Sequence, residues 1–347
     1  MVNFGILAAS RGSFNIDNIC FYWYINLMVN QPSYLELFRD GRLDDRCREA
    51  EKLLASCCLC PRRCGVARSR DQKGFCRSGY LPIVSSYNAH LGEEPPISGT
   101  KGSGTIFFSN CNMTCVYCQN WPISQLGQGQ EVSFERLAGM MLELQERGCH
   151  NINFVTPSHM TAQILLSLRL AVGKGFNLPL VYNSSGYDSR NSLKLMDGVM
   201  DIYLPDIRYC DPEAAGKYSQ APDYPAVCRA AIREMWRQAG ELQLDESGAA
   251  QKGLIVRHLV LPNRLSQTRE ALAFLANEIS PAVHLSLMAQ YFPAHQTKVM
   301  PELDRRLTVE EYRQALDWLE ELGLENGWHQ ELDDSGGGPS GRIVRDP

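Results

Sequence analysis

Cys111, Cys115 and Cys118 lie in the segment Asn110-Cys-Asn-Met-Thr-Cys-Val-Tyr-Cys-Gln-Asn120, and the next cysteine is Cys149. The C-x3-C-x2-C spacing offers three thiolates to a cluster of four irons, where ferredoxin-type clusters use four. Three protein ligands leave one iron open, and an open coordination position marks a catalytic metal site rather than a structural one. The bland alternatives are three buried free cysteines on one turn, or a zinc site completed by a distant fourth ligand.

A second group, Cys57, Cys60, Cys64 and Cys76, places four thiols within twenty residues, with Pro61 and Gly65 allowing tight turns between them. Cys58 is the spare, because Cys57 gives the cleaner C-x2-C spacing. Four soft donors make a closed shell, suited to tetrahedral zinc or to an auxiliary [4Fe-4S] cluster. Spacing does not separate these two. The remaining cysteines, such as Cys149, Cys210 and Cys228, read as small buried hydrophobes.

The chain that must position these thiols has 347 residues, 44% of them hydrophobic, with a net charge of −5. That length suits one large catalytic domain with a small accessory module. The acidic balance argues against general affinity for nucleic acid or an anionic membrane, and no apolar stretch is long enough to span a bilayer. Thirteen cysteines in clusters, in so long a chain, read as metal binding in a reducing cytosol.

Apolar, β-branched runs at 105–109, 151–155, 178–183, 201–204, 254–261 and 283–289 predict strands. Between them, 134–147, 161–174, 226–241 and 269–279 carry helical periodicity, and 308–322 predicts a last helix over an edge. Apolar strands alternating with helices imply a parallel sheet buried on both faces. Residues 1–27 read as a non-native or disordered extension, with a natural start at Met28. Residues 28–80 read as a helix followed by the cysteine module, 81–325 as the catalytic domain, with 81–104 as a Gly- and Pro-rich lead-in, and 326–347 as a disordered tail. In parallel α/β folds active sites gather at the carboxyl ends of the strands. The cysteine triad follows the first predicted strand, at that end. Asn183 ends the third, where a polar side chain suits sugar hydroxyls.

The triad, with aromatic Tyr117 before its third cysteine, resembles the motif of the radical S-adenosylmethionine (SAM) superfamily. The run from Ser109 to Ser124 is similar to the branch related to pyruvate formate-lyase activating enzyme. Within it, His90-Leu-Gly-Glu-Glu-Pro-Pro-Ile-Ser98, His150-Asn-Ile-Asn-Phe-Val-Thr-Pro157, Leu204-Pro-Asp-Ile-Arg-Tyr209 and Val256-Arg-His-Leu-Val-Leu-Pro262 resemble a largely uncharacterised group. The resemblance implies a partial (β/α)6 TIM-like barrel. It also implies a [4Fe-4S] cluster on Cys111, Cys115 and Cys118, with SAM on the open iron. Tyr117 would lie near the adenine. Asp206-Ile-Arg208 resembles an Asp-x-Lys motif with arginine in place of lysine, which keeps the charge but not the proton-donor role. Arg257 and His258 align with a segment that contacts SAM. Expected partners are an electron donor such as flavodoxin or ferredoxin and a protein substrate, as for a glycyl radical activase. The alternatives are radical SAM chemistry on a small metabolite or RNA, or a zinc-binding structural protein without catalysis. Fold-level analogy does not fix the substrate.

Overall fold

The computed structural model describes residues 31–332 and the backbone of 340–344. The expected extension at 1–27 lies outside the described residues. In chain order the strands are β1 (Ile83–His90), β2 (Ser103–Phe108), β3 (Gln130–Glu131), β4 (Ile152–Val155), β5 (Leu180–Ser184), β6 (Ile202–Ile207), β7 (Gln243–Leu244), β8 (Ala250–Leu259), β9 (His284–Met288), β10 (Gly327–Glu331) and β11 (Ser340–Val344). They form one mixed sheet in the order β11-β10-β9-β8-β6-β5-β4-β2-β1-β3, with β7 beside β8. The run from β2 to β10 is parallel throughout, while β1 and β11 pair antiparallel at the two ends. All six predicted strands belong to the parallel run.

Helices connect these strands where the 3.6-residue periodicity places them: Phe134–Glu146, Thr161–Val172 and Tyr224–Ala239. The fourth predicted helix divides into Thr268–Phe274 and a π-helical turn, Leu275–Ile279. The last helix, Val309–Glu321, starts with a capping box in which Thr308 and Glu311 satisfy each other's backbone N–H.

Two segments differ from expectation. The Gly- and Pro-rich stretch before β2 contains β1, whose long antiparallel ladder with β2 outweighs its weak local signal. The segment expected to be a disordered tail contains β10 and β11. Trp328, 7% exposed, packs in a core with residues of β5, β6 and β8, while β10 pairs along β9 through its backbone. Periodicity within 326–347 could not reveal a strand stabilised by a partner forty residues upstream.

Strand alternation gives the sheet two faces. Phe154, Tyr182, Tyr203, Leu254 and Val256 face the helices and join the main core. Val181, Ile202, Leu204 and Ile255 face the other way and pack with Ile97 and Trp328 in a smaller core. Farther along the same strands that second face turns polar, at Asn183, Asp206 and Arg257. From Pro32 onward the chain forms one compact unit. No described helix is long and apolar enough to cross a membrane.

Candidate active site

The chain leaves β2 through Asn110, whose positive φ of 68° turns it sharply, and then passes through the three cysteines. A polar group meets each thiol. The Met113 N–H reaches Cys111 Sγ at 3.4 Å, and the Ser219 hydroxyl donates to Cys115 Sγ at 3.0 Å. The Ser124 hydroxyl lies 3.1 Å from Cys118 Sγ. Burial, reinforced by the neighbouring Cys115, pushes the Cys111 thiol up to about 12. Cys115 is raised chiefly by burial, although Arg208 opposes the shift. Cys118 adds to the upward shift of both, and thiols raised in this way become thiolates only beside strong positive charge. A bound metal supplies such charge, so the donor set fits an iron–sulfur cluster.

Beside the triad the polar strand ends form a connected charged layer. The Arg257 guanidinium donates to Asp206 Oδ1 at 2.8 Å and to Asn183 Oδ1 at 2.7 Å, and approaches Glu93 Oε2 at 3.5 Å. Arg208 donates to Asp206 Oδ2 at 2.7 Å, so one carboxylate is held between two guanidiniums. Burial opposes the Arg208 charge, but Asp206 and then Cys115 outweigh it and keep its pKa high. Arg208 thereby couples the layer to the triad. Gly186 lets the loop after Asn183 press onto the end of β6. Its φ is +74°, and a Cβ there would lie 2.4 Å from the Asp206 carbonyl.

Of the residues singled out in the sequence, Asn183, Asp206 and Arg257 meet in this layer. Tyr117 is 2% exposed and lies edge-on between Tyr209 and Tyr291, at 6.2 and 6.0 Å. His258 is not brought to the layer. Strand alternation sends it to the opposite face from Arg257, where its ring nitrogens meet the Ile207 carbonyl (2.9 Å) and the Thr268 hydroxyl (3.0 Å). Its complete burial pushes the imidazole down to about 4 and keeps it neutral. The identity of His258 gave no warning of this, but the period of two along β8 did.

Glu93 and Glu94 are adjacent, which suggests side chains pointing apart. The structure instead places both beside Arg257, and burial first, then Glu94 and Asp206 against the opposing pull of Arg257, leave Glu93 up at about 7. Glu94 keeps Oε2 buried without a partner. Ser124 and Ser219, the hydroxyls on the thiols, also escaped the sequence reading. Ser124 carries the local signal of following Cys118 closely, whereas Ser219 arrives from a distant helix and carries none.

In the second group Cys57, Cys60 and Cys76 are buried and Cys64 is exposed, all as free thiols. Burial raises the Cys60 thiol to about 12, with Cys76, Cys57 and Cys64 all near enough to add to the effect. Among the described residues, no three His, Cys, Asp or Glu side chains close around a point for a lone metal ion.

No family model matches the chain. A solved structure described as HydG, a maturase of the [FeFe]-hydrogenase, overlaps 65% of this chain and 50% of its own, with a TM-score of 0.45 and 11% identity. The uncharacterized protein MJ0674 of Methanocaldococcus jannaschii is 32% identical over 302 residues, covering 84% of this chain and 82% of the relative. Over so much of both sequences, that identity makes this chain a member of the same protein family as MJ0674.

Proposed function

We propose that the protein is a radical SAM enzyme of the pyruvate formate-lyase activating enzyme type, with Cys111, Cys115 and Cys118 holding a [4Fe-4S] cluster. The observation that carries this reading is the placement of three thiols, each met by a polar group, at the carboxyl end of a parallel sheet, beside a charged layer. When bound, the cluster and SAM supply a one-electron cleavage that yields a 5′-deoxyadenosyl radical able to take hydrogen from a substrate.

The chain's own residues orient and insulate. Ser219, Ser124 and the Met113 amide direct hydrogen bonds at the sulfurs, which tunes a cluster's potential. Asn183 and Asp206 present oxygens suited to sugar hydroxyls. Arg257 and Arg208 offer positive charge for a carboxylate, in a layer whose polar groups are already oriented by one another. Tyr117, inside an aromatic group, provides an apolar wall for a purine.

The sheet is proposed to curl as a partial (β/α)6 barrel. Four strand spacings separate β2 from β8, about 19 Å on a flat sheet. Glu93, which precedes β2, nevertheless approaches Arg257 of β8, and Ile97 packs on Ile202 and Ile255. A curl of the sheet would bring these groups together. A flavodoxin or ferredoxin would supply the electron, and a protein would be the substrate.

Anaerobic reconstitution with iron and sulfide, followed by reduction with SAM present, tests the reading. The expected product is 5′-deoxyadenosine. A chain that takes up iron at the triad and releases none of this product overturns it. Electron paramagnetic resonance of a candidate glycyl radical partner then separates protein activation from chemistry on a small metabolite.

A further inference from the structure

The four-cysteine module is joined to the catalytic loop at two points, and each joint is an arginine adjacent or nearly adjacent to a module cysteine. Arg62, two residues after Cys60, donates through Nε to the Asn112 carbonyl at 2.9 Å, and its other nitrogens reach the carbonyls of Gln220 and Ser219. Asn112 follows Cys111, and the Ser219 hydroxyl is the one that meets Cys115. Arg77, directly after Cys76, donates to the carbonyls of Gln125 (2.6 Å) and Ser124 (3.0 Å). The Ser124 hydroxyl is the one beside Cys118. The Arg62 guanidinium also stacks 3.9 Å from the Phe75 ring centroid, next to Cys76.

The module itself is built for a soft ligand. Turns at Arg63, Gly65 and Arg77, all with positive φ, bring Cys57, Cys64 and Cys76 around Cys60. The Phe75 N–H points at Cys64 Sγ, 3.3 Å away. Gly74 leaves room for that thiol, since a Cβ there would lie 2.8 Å from it. Between residues 57 and 80 the chain carries Arg62, Arg63, Arg68, Arg70, Lys73 and Arg77 against Asp71 alone. In an acidic protein this concentration of cations matches the net negative charge of a four-thiolate centre. The thiols are grouped without closing on one point, so binding must draw them inward and stiffen the turns that carry both arginines.

We propose that Cys57, Cys60, Cys64 and Cys76 bind a thiophilic metal centre, and that Arg62 and Arg77 transmit the order it imposes to the loop bearing Cys111, Cys115 and Cys118. The centre takes either one zinc(II) or a four-iron sulfide cluster, since both present the same soft acid to four thiolates. Arg62 and Arg77 are positioning residues, acting through backbone carbonyls. The inference does not depend on SAM cleavage.

The experiment uses the full chain with Cys111→Ala, Cys115→Ala and Cys118→Ala, so that the triad binds nothing. Anaerobic loading with zinc(II), or with iron and sulfide, should give about one zinc or about four irons per chain, lost on adding Cys60→Ser and Cys76→Ser. The arm that binds identifies the metal. Absence of stoichiometric metal in both arms overturns the site. If this variant does not fold, the wild-type chain decides: about eight irons, or four irons and one zinc, supports the site, and four irons with no zinc overturns it. Hydrogen exchange by mass spectrometry, with and without metal, tests the transmission. Loading should slow the amides of 110–125 and 216–221 roughly tenfold, the scale of a charged hydrogen bond gained. In the Arg62→Gln, Arg77→Gln background the metal should still bind and that slowing should vanish. Equal slowing in both backgrounds, or none in either, overturns the link, because an arginine that only stabilises the fold would not make protection depend on metal.

Discussion

The thiols of Cys111, Cys115 and Cys118 follow a strand end, meet serine hydroxyls and a backbone amide, and adjoin the charged layer of Asp206 and Arg257. Those of Cys57, Cys60, Cys64 and Cys76 lie between irregular turns and among arginines, three of them buried and Cys64 exposed. Three donors facing a polar layer leave room for a further ligand. Four donors within twenty residues leave none. The comparison teaches that cysteine count matters less than what else reaches the site: on the proposed reading, one group is set for reaction and the other for order. The sharpest way to break this contrast is to remove one thiol from each. Cys115→Ala should reduce 5′-deoxyadenosine formation to background while leaving thermal unfolding nearly unchanged. Cys60→Ser should act in the reverse sense, lowering the melting temperature of metal-loaded protein first. If Cys115→Ala unfolds the chain while Cys60→Ser leaves its melting temperature alone, the assignment of roles is reversed.

The charged layer supplies the next effect in size. Asp206 sits between Arg208 and Arg257 and is 11% exposed. Asp206→Ala leaves two guanidiniums facing each other with little water, and losing one partner of a buried pair costs about 3–5 kcal/mol. Chemical denaturation should show a loss of that order, whereas Asp206→Asn, which keeps the hydrogen-bond acceptor, should lose less. Equal losses would mean that the negative charge, which both variants lack, is what Asp206 contributes, and that the acceptor adds nothing.

A smaller, pH-dependent effect belongs to Glu93. Its folded pKa, up at about 7 against an ordinary 4.5, means that the native state binds the proton more tightly than the unfolded one. Its contribution is therefore fully present below about pH 4.5 and is lost as pH rises towards 7. By linkage the loss is at most about 3 kcal/mol. Glu93→Gln should flatten stability across that window, read as the difference between the two proteins. Asp201, raised to about 6 by burial, titrates alike in both and cancels. An unchanged slope would remove Glu93 as the cause.

Much of the fold was legible because parallel strands are buried on both faces and announce themselves as apolar runs. Such runs give 254–261 and 283–289 away, and those segments supply β8 and β9. The grouping of the three thiols was legible because Cys111, Cys115 and Cys118 are local in sequence. What escaped was non-local. β10 depends on Trp328 finding a core built from β5, β6 and β8. Ser219 reaches Cys115 from a separate helix, and Glu93 reaches Arg257 across 164 positions. His258 shows a different limit: a residue adjacent to a site residue on a strand faces away from it, so an aligned pair such as Arg257-His258 divides between site and core.

The least effect, and the finest test of the contrast between the two cysteine groups, concerns Ser219. Its hydroxyl donates to Cys115 Sγ at 3.0 Å and also lies 2.9 Å from the Tyr209 hydroxyl. A hydrogen bond to a cluster thiolate stabilises the more negative, reduced state more than the oxidised one. Ser219→Ala should therefore lower the midpoint potential of the reconstituted protein. One such bond is worth about 1 kcal/mol, or roughly 40 mV for one electron. Ser219→Thr, which keeps the hydroxyl, should restore most of the shift. The reaction should slow in step with the harder reduction, while metal content stays constant. If Ser219→Ala leaves the potential unmoved, the hydroxyl serves packing against Tyr209, and the distinction drawn between hydrogen-bonded triad and backbone-held module weakens at this residue.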